Sequence, residues 1–186
     1  MANFGDGPQE RFSVELSVCI RACTEEDLPA LEWDGLFAGD LGRGADALAR
    51  QRHGEALLLV ADVGGRPVGQ ALVDLGSKSA EGVGVVSALR VIPGVRGAGI
   101  GTRLLAAAER VVVGRGLGIA EIGVEVGNEA AIRLCERLGY RAAGRVRATY
   151  FWAPPRRERE ELTVDEWLMQ KPLESVATEP WVGAHQ

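Results

Sequence analysis

A chain of 186 residues with 46% hydrophobic and 25% charged residues has the composition of a single folded domain, which excludes wholesale disorder. A net charge of −5 and a pI near 5.2 speak against a nucleic-acid binder, which needs a basic face, and suit an amine-bearing partner. Cys19, Cys23 and Cys135 fall in no metal-ligand spacing, no apolar run reaches membrane length and the N-terminus has no leader-like core; the expectation is a cytoplasmic protein without a metal or disulfide framework.

Residues 1–12 and 174–186 show no periodicity and are expected to be flexible ends around one domain of residues 13–173. Val14, Leu16, Val18 and Ile20 alternate, predicting a first strand over residues 13–22. Thr24 stands three residues before Asp27, a capping pattern that opens a short helix through Leu28 and Leu31, and a second helix is expected over residues 46–53. Residues 56–62 and 67–75, around Gly64-Gly65, predict an antiparallel hairpin. The nearly all-apolar residues 83–92 predict a strand covered on both faces, closed by Pro93-Gly94.

Ile100, Leu104, Ala108 and Val111 form one helical stripe and predict a helix over residues 100–115. A strand over 120–126 and a helix over 129–138 follow, with Gly139 placed as a left-handed cap, then two strands over 141–152 and 162–171. The strand–helix–strand order implies neighbouring parallel strands with a right-handed crossover, so the fold class is α/β with a mixed sheet.

Glycine is the outlier at 25 residues, nearly twice the usual share of roughly 7%. Three glycines alternate in Arg96-Gly97-Ala98-Gly99-Ile100-Gly101-Thr102, between a strand and a helix. Removing side chains there lets successive amides point into one concavity at the positive end of the helix dipole, which suits a pyrophosphate, and Arg96 adds charge. The Gly-Lys-Ser/Thr ending of a nucleotide P-loop is missing, and the spacing is not the Gly-x-Gly-x-x-Gly of dinucleotide folds.

Leu89, Val91, Pro93, Arg96, Gly99 and Gly101, followed by Ile122-x-Val124, Asn128, Ala131, Leu134 and Gly139-Tyr140, resemble the two central motifs of the GNAT superfamily of acyl-CoA-dependent N-acetyltransferases. With Ile20-Arg21 through Leu28 and residues 167–173, the resemblance spans about residues 16–173. It implies a mostly antiparallel central sheet of about seven strands flanked by about four helices, and acetyl transfer from acetyl-CoA to an amine, with no metal. The amides of Gly97, Ala98, Gly99, Ile100, Gly101 and Thr102, with Arg96, would hold the pyrophosphate. The strand edge at Leu89, Arg90 and Val91 would pair with the pantetheine arm, and the Leu89 N–H would face the oxyanion. Asn128 would contact the cofactor arm, cap the next helix, or do both.

The resemblance places an acid tyrosine where this chain has Cys135, a thiol that can in principle donate a proton but that lies on the apolar stripe of its helix and so reads first as an inert buried thiol. The strand over residues 83–92 carries no carboxylate, and Gly123 stands where some relatives keep a glutamate. Glu81, Ser87 through water, Glu125 and Tyr150 are candidates for the base. Trp33, Asp34 and Phe37 are candidates for the acceptor wall by stacking and charge. The expected acceptor is a small-molecule primary amine, with a protein N-terminus or lysine, or a non-catalytic acyl-CoA sensor, as alternatives. A homodimer is a further expectation, since family members often pair through sheet edges.

Overall fold

The computed structural model describes residues 15–33, 41–152 and 160–174. One seven-stranded sheet runs in the order β1-β2-β3-β4-β5-β7-β6, with β1 Cys19–Ala22, β2 Ala56–Val63, β3 Arg66–Asp74, β4 Val83–Val91, β5 Ile119–Glu125, β6 Arg141–Trp152 and β7 Glu160–Pro172. Neighbours are antiparallel except β4 and β5, which run parallel and are joined through α2, Ile100–Gly114. The mixed α/β sheet expected from the sequence is therefore present, as are the Gly64-Gly65 hairpin and the left-handed Gly139.

Strand alternation divides the interior between the two faces of the sheet. On one face, α2 packs against β3 and β4, and α3, Glu129–Arg137, adds Cys135 to a core containing Leu59, Val73, Val86, Leu104, Leu105, Val112, Ile122 and Met169. On the other, α1, Leu41–Arg52, and a 3₁₀ segment, Glu25–Glu32, bury Leu31, Ala47 and Leu48 against Leu58 and Val60 of β2. The expected capping box is formed: the Thr24 N–H donates to Asp27 Oδ2 at 2.8 Å. Arg21 then clamps this segment to the sheet, donating to both Asp27 oxygens at 2.6 and 2.8 Å and to Asp62 Oδ2 at 2.8 Å.

Three expectations are corrected. β1 is shorter than the alternation suggested, because β2 ends at Val63 and the Gly64-Gly65 turn, so residues before Cys19 have no partner strand; residues 13 and 14 lie outside the described residues. The first α-helix begins at Leu41, through Gly42 and Gly44, which propensity alone disfavours. β4 is not covered along its length: Val83, Gly84 and Val86 are buried, Ser87 is exposed, and residues 88–91 are half-buried.

Candidate active site

The exposed half of β4 follows from its pairing. β4 and β5 pair over four positions, Val83↔Ile119 to Val86↔Ile122, and then separate. Both strands continue, to Val91 and Glu125, so residues 87–91 keep β3 on one edge and open a gap on the other. Along the β3 edge, Gln70 pairs with Arg90 and Leu72 with Ser87, which leaves Ala88 and Leu89 together opposite Ala71. This is a β-bulge, and Ala88 sits within it at φ 49°. A non-glycine residue in the left-handed region costs on the order of 1–3 kcal/mol and persists only where its surroundings enforce it.

A cleft of about 420 Å³ occupies the gap and is lined from both faces of the sheet. From the α3 face come Val86, Ile122, Val124, Ala131, Leu134 and Cys135; from the α1 face come Leu28, Leu31, Glu32, Ala47, Leu58 and Leu72. Ala88, Leu89 and Arg90 form its β4 wall, and Glu121, Gly123 and Glu125 of β5 with Glu166 and Leu168 of β7 form the opposite one.

Just beyond β4, Pro93–Val95 makes one 3₁₀ turn, and Gly97 and Gly99 adopt φ of 83° and 80°. Those values lie in the left-handed region, which only glycine enters freely. The reversal delivers the chain into α2 at Ile100, and the first amides of an α-helix have no carbonyl partner within it. Arg96 Nε donates to the Val91 carbonyl at 2.8 Å, which ties the exposed guanidinium across the end of β4. Arg96, Gly97, Ala98, Gly99, Ile100, Gly101 and Thr102 are thus gathered on one turn, next to the open edge of Leu89, Arg90 and Val91.

Asn128 caps α3, its Oδ1 accepting from the Ala131 N–H at 3.1 Å, and it also lines the cleft. Cys135 lies on the buried stripe of that helix, 1% exposed, and burial, with the Glu136 charge adding to it, pushes its thiol up to about 11. Trp33 ends the 3₁₀ segment at φ 43°, and its indole N–H donates to the Pro67 carbonyl at 2.8 Å, while Leu28, Leu31 and Glu32 of that segment reach the cleft. Asp34 and Phe37 lie outside the described residues. Tyr150 is placed in β6 opposite Leu162, with its side chain outside the described part. Glu81 is exposed in the loop before β4, and Ser87 and Glu125 stand exposed on the cleft walls.

The sequence reading missed two buried carboxylates of this cleft. Glu121, 3% exposed, accepts from Lys78 Nζ at 2.6 Å and Gln170 Nε2 at 2.7 Å. Glu166, 8% exposed, lies over Gly123. The period-two alternation of Glu166, Leu168 and Gln170 was the available signal, since it puts them on one face of β7. Among the described residues no three His, Cys, Asp or Glu side chains are grouped to hold a metal, and no helix is long and apolar enough to cross a membrane.

The profile of the acetyltransferase (GNAT) family matches residues 21–140, which contain β4, the glycine turn, β5 and α3. The chain belongs to the GNAT acetyltransferase family. It is accordingly an acyltransferase, and solved structures agree in fold. A ribosomal-protein-alanine N-acetyltransferase from Brucella melitensis is 29% identical, with 83% of this chain and 99% of that one covered at a TM-score of 0.64. A Salmonella typhimurium acetyltransferase, solved with its cofactor acetyl-CoA, is 23% identical over 88% of this chain and 97% of its own, at 0.65. The PaiA N-acetyltransferase of Thermoplasma acidophilum, in complex with coenzyme A, is 16% identical over 84% and 99%, at 0.63. No curated protein sequence matches the chain.

Proposed function

We propose that this GNAT protein transfers the acetyl group of acetyl-CoA to the primary amine of a small molecule. The observation that carries the reading is the parting of β4 from β5 after Val86 and Ile122, which opens a cleft to both faces beside a turn of glycines. The chain fits the co-substrate in two respects: Gly97 and Gly99 shape a concave turn at the start of α2, and β4 has an open edge over residues 87–91. Bound there, acetyl-CoA supplies an activated acyl group with a thiolate leaving group.

In this reading the amides from Gly97 to Thr102 and the Arg96 guanidinium hold the pyrophosphate, and the open edge at Leu89, Arg90 and Val91 accepts the pantetheine amides. Preorganised donors of this kind need no reorganisation when charge develops, and one oxyanion donor is worth about 3 kcal/mol of barrier. The Leu89 N–H, in the bulged stretch of β4, takes that part. Asn128 keeps α3 in register at the cleft by its cap. On the α1 face the wall offers Glu32, Glu125 and Glu166 beside apolar Leu28, Leu31, Leu58 and Leu72, which suits an acceptor with an ammonium group and an apolar body. The acidic balance of the chain agrees with a cationic acceptor reaching the cleft.

A second reading, acetylation of a protein N-terminus, is favoured by the 29% identity to the ribosomal-protein-alanine enzyme. Release of coenzyme A thiol from acetyl-CoA separates the two. Turnover of small primary amines well above an alanine-initiated hexapeptide supports the first reading, and the reverse order supports the second. Acetyl-CoA binding without turnover of any amine or peptide would remove both and leave a sensor.

A further inference from the structure

Acetyl transfer requires that the attacking nitrogen lose a proton, yet β4 has no carboxylate and β5 has glycine at position 123. The register of β7 against β5 brings a carboxylate to that place from another strand. Gly123 pairs with Leu168 and Glu125 with Glu166, which makes Glu166 the diagonal neighbour of Gly123 on the same face of the sheet. Its side chain leans across: a Cβ built on Gly123 would lie 2.5 Å from Glu166 Oε2 and 3.3 Å from its Cδ. A Cβ there would push the flexible end of Glu166 aside, so the glycine leaves room for the carboxylate in this position. Glu166 thereby lines the same cleft as Ser87, Ala88 and Leu89, although its own backbone stands one strand further away.

The other carboxylates of the cleft are less suited to the task. Glu121 stands opposite Val85, inside the stretch where β4 and β5 are still paired, and so behind the gap rather than beside it. Glu125 is exposed at the rim, and Glu32 belongs to the far wall on the 3₁₀ segment. Glu166 combines burial with a position on the β5 wall, facing the gap from which β4 has withdrawn.

We propose that Glu166 is the catalytic base that takes the proton of the acceptor amine, and that Gly123 is the positioning residue that lets it reach the cleft from β7. The assignment rests on the acetyl-transfer reading above. In the reaction a nitrogen–carbon bond forms and the carbon–sulfur bond breaks. The ammonium form of the acceptor gives up two protons in all, passing through the Glu166 carboxylate, and one ends on the coenzyme A sulfur while the other goes to solvent.

The test measures thiol release from acetyl-CoA between about pH 6 and 10 with a panel of primary amines that includes spermidine, 2-phenylethylamine and an alanine-initiated hexapeptide. Glu166→Gln is expected to lower kcat/KM by about 100-fold or more near neutrality. The deficit should narrow toward pH 10, where an amine with a pKa of about 10 loses its proton unaided. Glu166→Asp should recover part of the loss, and Gly123→Ala should reproduce it with Glu166 still present. Calorimetric affinity for coenzyme A should stay within about twofold in Glu166→Gln, which separates loss of the base from loss of the fold. Wild-type turnover that Glu166→Gln leaves unchanged, or lowers equally at every pH, overturns this assignment and leaves the transfer reading standing. A wild type that binds coenzyme A but acetylates nothing in the panel overturns both.

Discussion

The two mouths of the cleft are built from different materials. On the α2 side the groups are main-chain: a turn shaped by Gly97 and Gly99, the first amides of α2 and the open edge of β4. On the α1 side they are side chains from distant segments, with Glu32 before α1, Glu125 on β5 and Glu166 on β7. A main-chain site must be written in consecutive residues, because only local glycine spacing lets a backbone curl. A side-chain site can be assembled by register alone. In the function proposed above, the first mouth would hold the shared acetyl donor, and selectivity for the second substrate would belong to the other.

The sharpest break of that contrast is Gly99→Trp. The new side chain fills the turn and meets a backbone at φ 80°, so acetyl-CoA affinity by calorimetry is expected to fall more than about 100-fold while the fold persists by circular dichroism. Unchanged affinity would remove the pyrophosphate from this turn.

Acid should act on the other mouth first. Burial opposes ionisation of Asp27, yet the Arg21 guanidinium and the Thr24 amide hold its carboxyl below the ordinary value of 3.8. A depressed folded pKa means stability that is complete above 3.8 and is lost as pH falls below it toward the folded value. Asp74, where burial is likewise overcome by the Ser77 amide and Arg50, behaves in the same direction. Hydrogen-exchange protection of the 3₁₀ segment should therefore drop, as pH falls below 3.8, more steeply than that of α2, which is held by apolar contacts. Equal loss in both would contradict a charge-held acceptor wall.

Two smaller substitutions sharpen the division at α3, on the α2 face of the cleft. Cys135→Ala removes a buried sulfur and should cost about 1–2 kcal/mol of stability, with activity retained within a few-fold. A several-hundredfold loss of kcat without unfolding would give this thiol the acid role. Asn128→Ala deletes one cap hydrogen bond and should cost about 1 kcal/mol by denaturant melting. Coenzyme A affinity should change less than about threefold, and a larger drop would mean that the side chain also touches the cofactor.

Most of the fold was legible because its signals are local. The stripe of Ile100, Leu104, Ala108 and Val111, the Gly64-Gly65 turn and the Thr24–Asp27 box each lie within one element and became what they encode. The strand pattern of residues 83–92 misled for a physical reason: an apolar run reports what can be buried, and whether a neighbour comes close enough depends on where β5 turns away. Trp33 suggested an acceptor wall from its type and place, but the structure commits its indole N–H to the Pro67 carbonyl. Glu166 was hidden because more than forty residues separate it from Gly123, and only the β5–β7 register makes them neighbours.

The short seam between β4 and β5 has a mechanical consequence. Four strands on one side and three on the other are joined within the sheet by only four residue pairs, helped by the Lys171–Glu109 ion pair that reaches from β7 to α2 at 2.7 Å. A molecule wedged between the two blocks serves as a keystone, completing the hydrogen bonding that the strands leave off. Occupancy at a hundredfold above its dissociation constant would add about 2.7 kcal/mol to the folded state, so this sheet should be markedly stiffer when loaded than when empty.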